Sequence, residues 1–137
     1  MIRLTVALLA AGMLTACSSN PHVTNTVDTE FVKILNDPAS HDGELVKVRG
    51  WISLRHEDKN FWLTWKDHED WTVSRCISLV HYDQLDDVAK TLDGRYVEIT
   101  GTFRMDASNN GSMIRLASCS KRGIEMASPA SVVRVSD

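Results

Sequence analysis

The chain has no apolar run long enough to cross a bilayer as a helix. A spanning helix needs roughly 20 apolar residues, and the stretch over residues 4–14 gives way at Ser18-Ser19-Asn20. There is no excess of positive charge either: 15 Lys and Arg stand against 18 Asp and Glu in 137 residues. That balance argues against a general binder of phosphate backbones, which needs a clustered basic footprint. No glycine-rich loop is present to cradle a phosphate. Cys, His and Asp occur, but none falls in a motif that activates a nucleophile. No catalytic residue and no cofactor follows from the residues.

What is present begins with an export signal. Arg3 supplies a positive start, and residues 4–14 form a short uncharged apolar core of Leu, Ala, Val, Gly and Met. Leu14-Thr15-Ala16-Cys17 then resembles the lipobox of bacterial lipoproteins. The resemblance implies cleavage after Ala16, with a diacylglycerol thioether and an N-acyl group on Cys17. One acyl chain, at about 0.8 kcal/mol per buried CH₂, binds a bilayer only marginally, so stable anchoring takes more than one. Ser18 in the next position resembles the outer-membrane sorting pattern of Gram-negative lipoproteins, which implies an outer-membrane anchor facing the periplasm. The alternative is an ordinary secretory signal with Cys17 as a structural thiol. Removing residues 1–16 leaves 121 residues, enough for one domain, and dropping Arg3 leaves 14 basic against 18 acidic side chains.

Residues 17–28 read as a lipidated tether: polar, with a proline and no helical stripe. Asp28 or Thr29 can cap a short helix with Phe31, Ile34 and Leu35 on one face, stopped by Asn36-Asp37-Pro38. Alternation follows. Val46, Val48, Ile52 and Leu54 share one face of a strand, Lys47, Arg49, Trp51 and Ser53 the other. A second strand alternates Phe61, Leu63 and Trp65 with Trp62, Thr64 and Lys66. A third sets Ile77 and Leu79 against Cys76, Ser78 and Val80. Residues 82–91 have helical spacing in Leu85, Val88 and Leu92, ended by Asp93-Gly94. A fourth strand near residues 96–104 points Val97, Ile99 and Phe103 inward. Asn109-Asn110-Gly111 marks a turn into a fifth strand, residues 112–118, with Ile114 and Leu116 inward. Residues 126–137 are a tail or an added edge strand.

One internal echo stands out. Residues 42–52 and 93–103 each run from Asp-Gly into Val-x-(Val/Ile)-x-Gly-x-(Ile/Phe). A glycine on the inward face permits the sharp bend of a strand that serves both sides of a tightly curled sheet; coincidence between two amphipathic strands is the plainer account.

Three strands, a helix, then two strands is the order of the OB-fold, a five-stranded Greek-key barrel. Residues 45–52 and 61–67 resemble the first hairpin of the OB anticodon-binding domains of class II tRNA synthetases. Residues 30–125 look more like a group of small bacterial envelope proteins, on the Asn-x-Pro and Asp-Gly-x-x-Val-x-Val-x-Gly pattern at 36–50 and the Val-x-Ile-x-Gly-Thr-Phe strand at 97–103. The expected architecture is mainly β with short helices: a five-stranded OB-like Greek-key barrel over 29–125, with a short N-terminal helix and a helix between strands 3 and 4. Barrels of this kind pair strands 3 and 5, and Cys76 and Cys119 both have the outward parity. The resemblance thus implies a disulfide closing a loop of about 43 residues, worth roughly 3–4 kcal/mol in the chain-entropy model, which an oxidising periplasm permits. Two separate thiols are the alternative.

His56-Glu57-Asp58 and His68-Glu69-Asp70 invite a metal reading. An extended strand between them, at about 3.3 Å per residue, sets them near opposite barrel ends, and neither alone has zinc or calcium spacing; both read as solvated loop charges, and no metal ligand is assigned. Four tryptophans remain to be placed. Trp65 has core parity. Trp51, Trp62 and Trp71, with Lys66 and Arg75 nearby, form a candidate stripe for stacking on a sugar or clamping a peptide, unless helices and the tail cover them. The expected function is a membrane-anchored, non-enzymatic module for a small ligand, glycan or protein partner in the envelope, not for nucleic acid. A structural or assembly lipoprotein and an unrecognised periplasmic hydrolase are the alternatives.

Overall fold

The computed structural model describes residues 26–108, 119 and 121–136. The signal, Cys17, most of the tether, the turn at 109–111 and the strand expected at 112–118 lie outside the described residues. Helix α1, Thr29–Asn36, starts where the Asp28 carboxylate accepts the Phe31 N–H at 2.8 Å, one of the orphan donors of a first turn. It buries Phe31 and Ile34.

Six strands among the described residues form one mixed sheet. They are β1 (Leu45–Arg55), β2 (Asp58–Trp62), β3 (Cys76–Val80), β4 (Arg95–Arg104), β5 (Gly123–Glu125) and β6 (Val132–Arg134). The order is β1-β2-β3-β5-β4-β6, and β1 also pairs with β4. The pairings β1–β2–β3–β5–β4–β1 therefore return to their start, with β3 and β5 parallel and the rest antiparallel. β6 adds to β4, so the last residues include an edge strand.

The alternation works as period-two logic requires. Val46, Val48, Ile52, Phe61, Ile77, Val97, Ile99, Phe103 and Ile124 are buried in one cluster, and Phe31 of α1 stacks on Phe61 at 4.9 Å between ring centres. The echoing segments turn out to face each other. Val46 opposes Gly101, Val48 opposes Ile99, and Gly50 opposes Val97, so the β1–β4 ladder has a local two-fold centred on Val48 and Ile99. The Asp-Gly corners obey it too. Gly43 N–H donates to the Phe103 carbonyl and Gly94 N–H to that of Ile52, while the Asp42 and Asp93 carboxylates accept Met105 N–H and Leu54 N–H, both at 2.9 Å.

The two glycines of the echo, Gly50 on β1 and Gly101 on β4, sit where partners change. β1 pairs with β4 over 45–52 and with β2 over 51–55; β4 meets β6 over 97–99 and β5 over 102–104. A Cβ on Gly50 would lie 2.5 Å from the Trp62 carbonyl oxygen, and one on Gly101 2.6 Å from that of Glu125. Each glycine admits a neighbouring backbone that any side chain would push away.

Two expectations are corrected. The second strand stops at Trp62, because Thr64 opens helix α2 (Trp65–Glu69) with a reciprocal capping box: Thr64 Oγ1 accepts Asp67 N–H at 3.1 Å, and the Asp67 carboxylate accepts Thr64 N–H at 3.0 Å. Trp65 and Lys66 therefore lie on a helix, and Trp65 is half-buried on the outer face rather than in the interior. The helix over 82–91 is also broken. A 3-10 turn, Tyr82–Leu85, is separated by exposed Asp86-Asp87-Val88 from a single helical turn, α3 (Ala89–Leu92).

Candidate functional site

The outer face of the β1–β2 hairpin carries the chemistry. Register places Trp51 opposite Trp62, Ser53 opposite Asn60 and Arg55 opposite Asp58, around a tight link in which His56 takes a left-handed backbone (φ 47°). Behind β2 the chain turns back through α2. That reversal brings His68 to Asp58, 2.7 Å from Nε2 to Oδ2. The expectation that the two His-Glu-Asp triplets sit at opposite ends is thereby overturned, since the extended strand it assumed ends early. His56 and Glu57 are exposed at the hairpin tip, as loop charges should be.

Asp58 collects three donors. Ser53 Oγ and Asn60 Nδ2 each donate to Oδ1 at 2.7 Å, and the third is His68. A carboxylate only accepts, so His68 carries its proton on Nε2. Trp62 Nε1 in turn donates to Ser53 Oγ at 2.9 Å. Ser53 and Asn60 are the buried polar residues of the described chain; Asn60 Oδ1 and His68 Nδ1 are buried with no hydrogen-bond partner among the described residues. This network fixes the floor of the site. Neutral hydrogen bonds contribute about 0.5–1.5 kcal/mol each and charged ones about 1.5–3.

Trp62 has the outward parity, yet it is fully buried. It packs with Cys76, its register partner on β3, and with Cys119, with Trp51 against the group. Cys76 and Cys119 form a disulfide with a Cα–Cα distance of 5.3 Å. Trp71 lies 5.3 Å and His68 5.2 Å from the Trp62 ring. The strand face expected as the platform is thus covered by α2 and the loop after it.

Over that floor runs a row of half-exposed rings. From Tyr96 on β4 to Trp51 on β1 is 5.7 Å, from Trp51 to Trp65 is 5.7 Å, from Trp65 to His68 is 4.4 Å and from His68 to Trp71 is 6.2 Å. Burial pushes the Tyr96 hydroxyl pKa up, with nearby Asp28 adding to the effect; this hydroxyl reaches the Thr26 carbonyl at 3.2 Å. Trp71 follows α2 at the position usually given to glycine. Its φ is +53°, with Thr72 N–H bonded to the Asp67 carbonyl and Trp71 N–H to that of His68, a Schellman-like end. Such a conformation costs a non-glycine residue about 1–3 kcal/mol, and the ring is still 48% exposed.

The cations beside the row are held by acids. Lys66 pairs with Asp70 at 2.8 Å and Arg75 with Asp67 at 2.8 Å; Arg49 and Lys47 both engage Glu98. Hydrogen bonding to Asp70 raises the Lys66 pKa, and that from Arg49 lowers the Glu98 carboxyl. Among the described residues no three His, Cys, Asp or Glu side chains gather as a metal-binding group, and no helix is long and apolar enough to cross a membrane.

The structure joins Trp51 and Trp71 to Trp62, while Lys66 and Arg75 pair with Asp70 and Asp67 of α2 and its C-cap. Reading strands by alternation missed Trp65, His68, Asp58 and Tyr96 as members. Two cues were available: the Thr64-x-x-Asp67 capping pattern, and rings at every third position, Trp62, Trp65, His68 and Trp71, the spacing of a turning chain. Comparison with protein-family models, with curated proteins and with solved structures finds no match for this chain.

Proposed function

We propose that this protein is a lipid-anchored envelope module with an OB-like barrel, which binds a small ligand, glycan or protein partner through the ring row on its outer face. The observation that carries the binding reading is that row: Tyr96, Trp51, Trp65, His68 and Trp71 in contact, over a floor fixed by the Asp58 network and the disulfide. Rings held in place before a partner arrives lose little freedom on binding, which is what preorganisation contributes to affinity. The cycle of strand pairings with parallel β3 and β5 supports the OB-like barrel. The lipobox resemblance supports acylation at Cys17 and an outer-membrane anchor facing the periplasm.

Two measurements test these parts separately. Mass spectrometry of the mature protein is expected to find a triacylated Cys17 at its amino terminus; an unmodified terminus removes the anchor. Thermal melting of the full chain in detergent, against cell-wall glycan fragments and envelope protein extract, is expected to show a midpoint shift that Trp65→Ala abolishes. An unshifted midpoint in every case removes the binding module.

A further inference from the structure

We propose that the ring row is a stacking track for a neutral, extended pyranose chain, an inference that rests on the binding reading above and narrows it to one ligand class. A pyranose presents an apolar C–H face and a rim of hydroxyls, so a site for it needs aromatic faces in line and fixed polar groups of both kinds alongside. The row supplies aromatic surface in succession, not one flat face: five rings, each 4.4 to 6.2 Å from the next and tilted by 32° to 58° to it, crossing from β4 over β1 to α2 and the loop behind it. Paired charges provide the second. Lys66 with Asp70, Arg75 with Asp67, and Arg49 with Glu98 offer donors and acceptors side by side.

Charge separates this ligand from the other one that stacks on aromatics. A single-stranded nucleic acid needs unpaired cations along its backbone. Here Lys66 pairs with Asp70, Arg75 with Asp67, and Arg49 and Lys47 share Glu98, so three carboxylates offset most of the positive charge that a phosphate backbone would need. Hydroxyls need no such charge. A protein partner would be met by a mixed apolar patch. Among the described residues the exposed large aliphatic side chains stand at Val27, Leu45, Val88, Met105 and Val133. Although Leu45 shares β1 with Trp51, none is on α2 or the loop after it, where Trp65, His68 and Trp71 lie.

Trp71 gives the track its outer end. It holds a left-handed backbone that glycine adopts freely, it is half exposed, and it touches Trp62 and His68. An aromatic ring kept at a glycine position, half in solvent, is better explained by what it contacts than by what it stabilises. Covered Trp62 is the anchor beneath it, not a contact residue.

The test uses the purified full chain in detergent micelles, with chitohexaose and cellohexaose as probes and intrinsic tryptophan emission and isothermal titration as readouts. At least one hexaose is expected to bind saturably and more tightly than its disaccharide. Trp71→Gly is expected to weaken it about tenfold or more, a difference of about 1.4 kcal/mol, with a thermal midpoint close to the parent's because glycine suits the backbone there. Trp65→Ala is expected to weaken it as well. Binding that neither substitution changes would place the ligand elsewhere and overturn the track. If neither hexaose binds but a crosslinked envelope protein is lost with Trp71→Gly, the glycan class is wrong and the binding surface stands. If neither a glycan nor a protein depends on Trp71 or Trp65, both readings fall together.

Discussion

The two faces of the β1–β2 hairpin are built on different principles. Inward, Val48, Ile52 and Phe61 are buried in one apolar cluster, with Phe31 stacked on Phe61. Outward, from alternate positions of the same strands, Trp62 rests on a disulfide while Ser53 and Asn60, joined by His68 of α2, converge on one carboxylate. Apolar burial is non-directional, and any side chain of the right parity and volume serves it. The outer face instead depends on named partners at fixed angles, where deleting one leaves another unsatisfied. The contrast teaches that the interior makes the fold and the outer face makes its surface unique, so perturbing each should fail in its own way.

The interior gives the largest effect. Phe61→Ala removes a fully buried ring and its stacking partner's contact, and is expected to destabilise by about 3–5 kcal/mol in urea unfolding. A loss under about 1 kcal/mol would show that the strands do not enclose one core. Next comes the covalent tie on the outer face. Replacing Cys76 and Cys119 together by Ser opens a crosslink that spans 43 residues and should lower stability by about 3–4 kcal/mol. The parent should match that loss under strong reductant; equal stability of parent and double variant in oxidising buffer would contradict the bridge. Third is the polar floor. Asp58→Ala strands the donors of Ser53, Asn60 and His68, and a loss of about 1–3 kcal/mol is expected, with altered near-ultraviolet circular dichroism from Trp62 and Trp65. A neutral result would mean that those donors find water on their own.

This contrast also explains what the chain discloses in advance. Every second residue from Val46 to Ile52 and from Val97 to Phe103 reports its own side of the sheet, because parity depends on backbone geometry alone. The echo of the Asp-Gly corners is visible as well, though its meaning as a paired two-fold is not, since the register joins residues as distant in the chain as Leu45 and Thr102. The outer site was harder to read. Trp65 looks like core if the strand is run past Leu63, and only the capping box at Thr64 stops it. The Asp58–His68 contact depends on that stop. Trp62 shows the remaining gap: alternation says which way a ring points, not whether a helix later covers it.

The smallest expected effect compares the two Asp-Gly corners themselves. Both carboxylates cap a backbone N–H, but among the described residues Asp93 alone of the two also meets an arginine, Arg55. Burial by itself would raise the Asp93 carboxyl; the Leu54 N–H and then Arg55 outweigh it, and the pKa is held below its ordinary value. A carboxyl lowered in the folded state stabilises fully above its unfolded value, about 3.9, and that contribution disappears as pH falls through the folded value. Melting the parent and Asp93→Asn side by side should therefore show a gap that is constant from pH 7 to about 5 and closes in stronger acid. Most of Arg55 is in solvent, so salt screens this pair, and the gap at neutral pH should shrink in concentrated salt. A gap that widens on acidification would assign Asp93 the opposite role, a carboxyl that the fold prefers protonated.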